Sequence, residues 1–217
     1  MKPRVDYTLY LCTDRELMSA ETLEKAVELA IQGGVTVVQL REKDCAGREF
    51  LQIAKDVKQI TDAYEIPLII NDRIDIAMAV DADGVHLGQS DIPAHTAREL
   101  LGPDKIIGVS AYNKELAIDA QKEGADYLGV GDVFGTSTKA GTHHVEIDTL
   151  REICNAVKIP VVAIGGVNQS NVTKLAGTGV SGAAVISAII ASKNITEAAT
   201  DMLSLLQKEV IVNSPRA

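Results

Sequence analysis

The fold of this chain is decided by residues 35–44, which read VTVVQLREKD. The valine-rich start is typical of a buried strand, yet the run ends with an amide and two cations on alternate residues, Gln39, Arg41 and Lys43. Because successive strand side chains point to opposite faces, these three share one face, and Leu40 and Glu42 lie on the other. The polar face is either the solvated side of an edge strand or the lining of an anion site. Whether this strand lies at the edge of a sheet or inside the fold decides between the two interpretations.

Composition limits the class of protein. The chain has 217 residues, of which 46% are hydrophobic, and 21 Lys and Arg against 30 Asp and Glu give a formal charge of −9. This balance argues against a nucleic-acid partner bound through a basic face. Three scattered cysteines without metal-ligand spacing indicate a reducing compartment. The start has no signal-peptide pattern, and no segment approaches the roughly 20 apolar residues of a membrane span. We expect a cytoplasmic protein with small-molecule partners and no membrane or nucleic-acid partner.

Short apolar runs alternate with helix-like segments from end to end of the chain. The helix-like segment at 22–34 ends at Gly33 and Gly34, and the one at 113–125 ends at Gly124. The strand runs are apolar at consecutive positions, as expected for strands covered on both faces. This rhythm predicts a single α/β domain over 1–217, a (β/α)8 TIM barrel whose last few residues are frayed. A doubly wound open sheet is the alternative, but the expected early Gly-x-Gly-x-x-Gly turn is absent. The strand runs are TLYLCTD, VTVVQLRE, IPLIIND, DGVHLG, KIIGVSA, YLGVGDV, IPVVAIGG and GAAVISA.

In a TIM barrel, the chemistry gathers at the carboxyl ends of the strands. The third strand ends in Asn71 and Asp72, and Asp91 follows the turn after the fourth. Neighbouring strands lie about 5 Å apart, so the two carboxylates are placed to share a cation, and their hard oxygen ligands favour Mg²⁺. The alternative is structural: Asp72 and Asp91 precede predicted helices and suit helix N-caps. Spacing alone leaves both open.

Further strand ends carry hydroxyls and glycines. The loop at 131–144 places Thr136, Ser137 and Thr138 beside Lys139, a set that suits phosphate oxygens without matching a Walker loop. Ser110 ends the fifth strand and either binds a substrate or bonds its own loop. Backbone amides after the last two strands, around Gly166, Ile186 and Ser187, resemble the phosphate site of many barrels, although ordinary tight turns are the alternative. A nucleophile triad and a glycosidase acid pair are not found.

Taken in order, the motifs QLREK, IINDR, GVHLGQSD, GVSA, TSTK, AIGGV and VISAI resemble the thiamine-phosphate synthase family over nearly the whole chain. The resemblance implies a transferase, working with Mg²⁺, that joins an aminopyrimidine diphosphate to a thiazole phosphate and releases diphosphate. It implies catalytic roles for Arg41, Lys43, Ser110 and Lys139, and metal binding by Asp72 and Asp91. The implied substrate contacts fall in two groups, which include the catalytic residues: Gln39, Leu40, Arg41, Glu42, Lys43, Asn71, Ser110 and Lys139 for the pyrimidine diphosphate, and Thr136, Ser137, Thr138, Gly166, Ile186 and Ser187 for the thiazole phosphate.

Two rival functions remain beside the synthase. A related thiazole tautomerase would use a similar barrel but would not need the paired aspartates. A non-catalytic barrel would bind phosphate esters without a metal. The chain also departs from the family pattern at Asp132 and at Gly135, where many relatives have proline, and at Tyr112. The oligomeric state and the roles of Asp132, Gly135, His143 and His144 stay open.

Overall fold

A computed structural model describes residues 4–135 and 143–212. Within them, eight parallel strands close into a barrel in which each strand pairs with the next and the eighth pairs with the first. The predicted TIM barrel is therefore confirmed. The predicted frayed end, 213–217, lies outside the described residues. The strands are β1 Leu9–Cys12, β2 Val37–Leu40, β3 Leu68–Asn71, β4 Gly84–Leu87, β5 Ile106–Ala111, β6 Tyr127–Val130, β7 Val161–Ile164 and β8 Gly182–Val185.

Helices follow most strands and cover the outside of the barrel. None of those in the described ranges combines the length and apolarity needed to cross a membrane. They are α1 Leu23–Gln32, α2 Gly47–Ala63, α3 Ile74–Ala79, α4 Ala94–Leu101, α5 Lys114–Lys122, α6 Ile147–Ala156, α7 Ser187–Ile190 and α8 Ile195–Leu205, the last continued by a π-helical turn at Leu206–Ile211.

The helix ends predicted from glycine are confirmed. Thr22 caps α1 by accepting a hydrogen bond from the Lys25 amide, and the chain leaves the helix through Gly34 at φ 101°. Asn113 caps α5 in the same way through the Leu116 amide. Local sequence therefore sets where these helices start and stop.

The connection between β7 and β8 differs from the regular strand–helix rhythm. It contains only a 3₁₀ turn at Val172–Leu175. The Asn171 side chain accepts from the Asn168 amide and donates to the Gly166 carbonyl, and Asn168 also donates to Gly166. Such side-chain bonds compete with helical backbone pairing, so the segment forms turns instead of a helix.

Strand residues alternate between two apolar layers. Inside the barrel, Val37 packs with Tyr10, Tyr127 and other interior side chains, whereas Val38 and Leu40 belong to the layer between strands and helices. The period-two interpretation of β2 is thus confirmed, and Gln39 belongs to the interior face. The barrel has no free edge at this strand, which excludes the solvated-edge alternative.

The guanidinium group of Arg98 links loops at the amino ends of two neighbouring strands. Arg98 of α4 donates to the carbonyls of Gly102, Lys105 and Gly124 at 3.0, 2.5 and 3.2 Å, and to Asp126 Oδ2 at 2.6 Å. Asp126 Oδ2 in turn accepts from the Ile107 amide at the start of β5. One side chain therefore joins the loops that lead into two neighbouring strands.

Arg98→Ala is expected to lower the free energy of unfolding by about 2 kcal/mol, because it leaves partly buried acceptors without their charged donor. The measurement is urea unfolding followed by circular dichroism. Arg151→Ala is the matched control. Arg151 is an exposed helix residue that pairs with the exposed Asp148 three residues earlier, and the substitution should cost about 0.5 kcal/mol. Equal losses in the two variants would contradict the assigned role.

Candidate active site

A cavity of about 490 Å³ opens at the carboxyl ends of the strands. Its walls come from residues of all eight strands or the loops after them. This volume is in the range that holds small organic ligands. Most residues of the predicted site line this one cavity; the exceptions are Leu40, Glu42 and the residues at 136–139. Those that line it are Gln39, Arg41, Lys43, Asn71, Asp72, Asp91, Ser110, Gly166, Ile186 and Ser187.

Alternate residues at the end of β2 point either into the cavity or away from it. Gln39, Arg41 and Lys43 line the cavity, and the Arg41 amide is anchored to the buried Thr13 hydroxyl at 3.1 Å. Leu40 is fully buried in the layer beneath the helices. The side chain of Leu40 therefore does not reach the cavity, and a contact from this residue to a ligand would involve its backbone.

Glu42 faces Arg15 and does not line the cavity. Arg15 Nε donates to Glu42 Oε2 at 2.9 Å, and a second Arg15 nitrogen reaches Glu49 at 3.1 Å. Burial raises the pKa of Glu42 above its ordinary value, although the Arg15 guanidinium opposes this. The Arg15–Glu42 pair holds the backbone of the segment that carries Arg41 and Lys43. Glu42 therefore supports these two cations from outside the cavity.

Asp72 and Asp91 both line the cavity, and neither caps a helix. Arg73 and Pro93 occupy the N-cap positions of α3 and α4 and make no side-chain cap bond. Asp72 adopts φ 63°, a left-handed conformation tolerated mainly by Asn, Asp and Gly, and its Oδ2 lies 3.6 Å from Lys43 Nζ. Asp91 Oδ2 accepts from the Gly88 amide at 2.6 Å. The capping alternative is therefore wrong for both carboxylates.

The donor set fits magnesium. Across the described ranges, no group of three or more His, Cys, Asp or Glu is arranged to hold a metal. Two carboxylates with open positions for water and phosphate oxygens are the usual way Mg²⁺ is bound beside a phosphorylated substrate. Asp72 and Asp91 are the residues that would hold it.

The opposite side of the cavity is made by β7, β8 and α7. Gly166 has φ 66°, and a side chain there would meet the Gly135 carbonyl, since a Cβ atom would lie 2.1 Å from its oxygen. Ile186 and Ser187 open the short helix α7 after β8. Glycine is thus required at position 166 for the close approach of two loops. Thr136, Ser137, Thr138 and Lys139, predicted for this region, lie outside the described residues.

A line of polar side chains crosses the barrel interior and forms part of the cavity wall. Gln39 Nε2 donates to the Tyr10 hydroxyl at 2.9 Å, and the Tyr10 and Tyr127 hydroxyls are 2.7 Å apart. His86 joins Tyr127 at 3.0 Å through Nδ1 and Ser110 Oγ at 2.9 Å through Nε2. Burial raises the pKa of both tyrosines well above the ordinary value, so their hydroxyls stay protonated. We call these five residues the interior hydrogen-bond line.

Sequence analysis missed three members of this line, Tyr10, His86 and Tyr127. Each occupies an inward position in the strand register, where Asn71 aligns with His86 and Gly108 with Tyr127. They could have been predicted from the sequence, because each is a polar aromatic residue at a strand position that points into the otherwise apolar barrel interior.

Residues of the loop after β6 also line the cavity. Asp132 is buried and accepts from the Gly135 amide at 2.7 Å through Oδ1. His143 stacks on Tyr112 with ring centroids 4.0 Å apart, and His144 lies 3.2 Å from Glu146. Asp132 therefore orders the turn that meets Gly166, and the two histidines are engaged with different neighbours.

Comparison with known proteins gives one consistent family. A family model described as thiamine monophosphate synthase matches residues 9–189. Thiamine-phosphate synthase of Ruminiclostridium cellulolyticum is 58% identical, covering 94% of this chain and 98% of the relative. That of Clostridium beijerinckii is 55% identical, over 93% and 97%. The solved structure of thiamine phosphate pyrophosphorylase from Pyrococcus furiosus superposes with a TM-score of 0.86 at 41% identity, covering 94% and 96% of the two chains.

Proposed function

Because this chain belongs to the thiamine monophosphate synthase family, we propose that its cavity couples an aminopyrimidine diphosphate to a thiazole phosphate. The products are thiamine phosphate and diphosphate. The family resemblance of the motifs and the prediction of a transferase are confirmed by the relatives. The substrates in detail, the metal and the residue roles are the content of the proposal.

The observation that carries the proposal is that one cavity is lined both by the cations of β2 and by the glycine and hydroxyl residues that follow β7 and β8. Arg41 and Lys43 enter from β2, and Asp72 and Asp91 from the ends of β3 and β4. Gly166 and Ser187 lie after β7 and β8, on the far side of β1 in the strand order. Two phosphorylated substrates need two such places, one of them suited to a metal-bound diphosphate.

The cations of β2 would stabilise the departing diphosphate. As the bond between the methylene carbon and the diphosphate oxygen breaks, negative charge builds on the oxygen. Arg41 and Lys43, fixed by the Arg15–Glu42 pair behind them, interact more strongly with that charge than with the intact ester. We assign Lys139 to the same task. Bound Mg²⁺, held by Asp72 and Asp91, would neutralise part of the diphosphate charge.

The remaining residues position the reactants and exclude water. Asn71, Gln39 and Ser110 line the cavity and would contact the pyrimidine. Gly166, Ile186 and Ser187, with 136–138, would hold the thiazole phosphate so that the thiazole nitrogen faces the methylene carbon. The aminopyrimidine delocalises the positive charge left on that carbon, and no protein nucleophile is required. Exclusion of water matters because water would trap the cation.

None of the cysteines in the described ranges, Cys12, Cys45 and Cys154, forms a disulfide. This suits a reducing compartment, and we place the reaction in the cytoplasm.

The experiment that tests the function is incubation of the purified protein with both substrates and Mg²⁺, followed by mass spectrometry. Thiamine phosphate and diphosphate should appear in equal amounts, and EDTA should stop their formation. The tautomerase alternative predicts isomerisation of the carboxylated thiazole phosphate without coupling. A purely binding barrel predicts phosphate-ester binding that EDTA does not change and no product. Either of those results would contradict the proposal.

A further inference from the structure

We propose that the interior hydrogen-bond line fixes Ser110 as a hydrogen-bond donor toward the substrate, and that this polarity selects a 4-aminopyrimidine over a 4-oxopyrimidine. The inference rests on the proposed function, since it concerns the ring that enters the pyrimidine side of the cavity. It assigns positioning roles to three residues outside the predicted site, Tyr10, Tyr127 and His86.

The direction of the line follows from the donor capacity of its members. A carboxamide nitrogen donates and cannot accept, so the Tyr10 oxygen is the acceptor from Gln39 Nε2. Tyr10 is 1% exposed, and its other hydrogen-bond partner in the described part of the chain is Tyr127. A buried hydroxyl proton needs an acceptor, so Tyr10 donates to the Tyr127 oxygen.

The same reasoning continues to the cavity wall. Tyr127, having accepted from Tyr10, donates its own proton to His86 Nδ1, 3.0 Å away. Because Nδ1 accepts from Tyr127, it carries no proton, so the imidazole proton is on Nε2, which donates to Ser110 Oγ at 2.9 Å. The oxygen of Ser110 is then an acceptor inside the protein. Its own proton is directed to the cavity that Ser110 lines.

Two interior glycines make room for this arrangement. A Cβ atom at Gly108 would lie 2.1 Å from Cζ of the Tyr127 ring, and one at Gly129 would lie 2.9 Å from Cε1 of His86. Both glycines are on strands, where glycine weakens the sheet and marks close approach. Glycine at these two positions therefore leaves the space that the rings of Tyr127 and His86 occupy.

A fixed donor discriminates between the two pyrimidines. In a 4-aminopyrimidine, the ring nitrogen beside the amino-bearing carbon has a lone pair and accepts from Ser110. In the 4-oxo compound that nitrogen carries a proton, so two donors would face each other and both would lose their partners. A buried polar group without its partner is the usual source of strong discrimination between ring analogues.

The first arm of the test is nitrogen-15 NMR of the histidine-labelled wild-type protein without ligand. The chain has four histidines, and loss of one signal in His86→Gln assigns His86. We expect the proton on Nε2, with Nδ1 unprotonated. Tyr127→Phe should give a mixture of tautomers. Finding Nδ1 protonated in the wild type would overturn the proposal, and this arm requires no catalytic activity.

The second arm measures dissociation constants of the 4-amino and 4-oxo (2-methylpyrimidin-5-yl)methyl monophosphates by calorimetry, with Mg²⁺ and no thiazole phosphate. The wild type should prefer the amino compound by roughly 100-fold, and Tyr127→Phe should lower the ratio to about tenfold. Tyr10→Phe is the second variant, used because it leaves the Tyr127–His86 bond in place, and it should also lower the ratio.

Tyr7→Phe is the matched control for these variants. Tyr7 packs its ring 4.8 Å from that of Tyr127 and is equally part of the interior aromatic layer, but it does not line the cavity. Its substitution should leave both the tautomer and the ratio unchanged. Ratios that fall equally in Tyr7→Phe and Tyr127→Phe would overturn the proposal. If coupling itself fails while the His86 tautomer is as expected, the proposed function fails and the assigned direction of the line stands.

Discussion

Asp91→Asn is expected to reduce magnesium-dependent turnover by on the order of 100-fold or more while leaving the fold intact. Asparagine keeps a carbonyl oxygen that can accept from the Gly88 amide, as Asp91 Oδ2 does at 2.6 Å. The substitution therefore removes the negative charge without removing the loop bond. Asp72→Asn should behave alike, because asparagine tolerates the left-handed backbone at φ 63°. The measurement is kcat/KM as a function of Mg²⁺ concentration.

Asp75→Asn is the control for the carboxylate variants. Asp75 lies three residues from Asp72, but it pairs with Arg73 at the exposed start of α3. Turnover by this variant should stay within about twofold of the wild type, as expected for an exposed ion pair away from the cavity. Full magnesium-dependent activity of Asp91→Asn, with unfolding unchanged, would contradict the assignment of the metal site.

Arg41→Ala is expected to lower kcat/KM for the pyrimidine diphosphate by about 100-fold, because one cation that faces the leaving group is lost. The backbone of this residue is held by Thr13 through the amide, which the substitution retains. Arg41→Lys should give a smaller loss, since lysine restores the charge without the two-pronged geometry of a guanidinium. The constant for the thiazole phosphate should change little, because Gly166 and Ser187, which would hold that phosphate, follow β7 and β8 and not β2.

Arg48→Ala provides the comparison for Arg41. Arg48 is exposed in the first turn of α2, seven residues along the chain, and does not line the cavity. Equal effects of the two substitutions would mean that net charge, and not position in the cavity, governs activity. Wild-type kinetics for Arg41→Ala would remove the basis for the diphosphate subsite on β2.

The sequence predicted the fold because its local signals agree with one another. Apolar strand runs alternate with helix-like segments along the whole chain, and the strand–helix order is regular except between β7 and β8. Side-chain caps and glycine stops add to this pattern at α1 and α5. There, asparagine side chains bond the backbone, and hydrophobic periodicity does not report such bonds. Alternation along β2 similarly placed Gln39, Arg41 and Lys43 on the cavity side.

The candidate site was harder to predict because it depends on contacts between distant segments. The partner of Glu42 is Arg15, which lies on a different loop of the chain. Spacing could not exclude helix capping by Asp72 and Asp91, because the exact starts of α3 and α4 decide it. The interior line joins β2, β1, β6, β4 and β5, so no short motif contains two consecutive members.

The central claim is that Asp72, Asp91, Arg41 and Lys43 surround one metal-bound diphosphate. Its most direct test is an anomalous-difference map from crystals of this protein soaked with Mn²⁺ and diphosphate. We predict a manganese peak bound by the carboxylates of Asp72 and Asp91, with diphosphate density against Arg41 and Lys43. A manganese peak away from both carboxylates, or diphosphate bound only beside Gly166 and Ser187, would contradict the account.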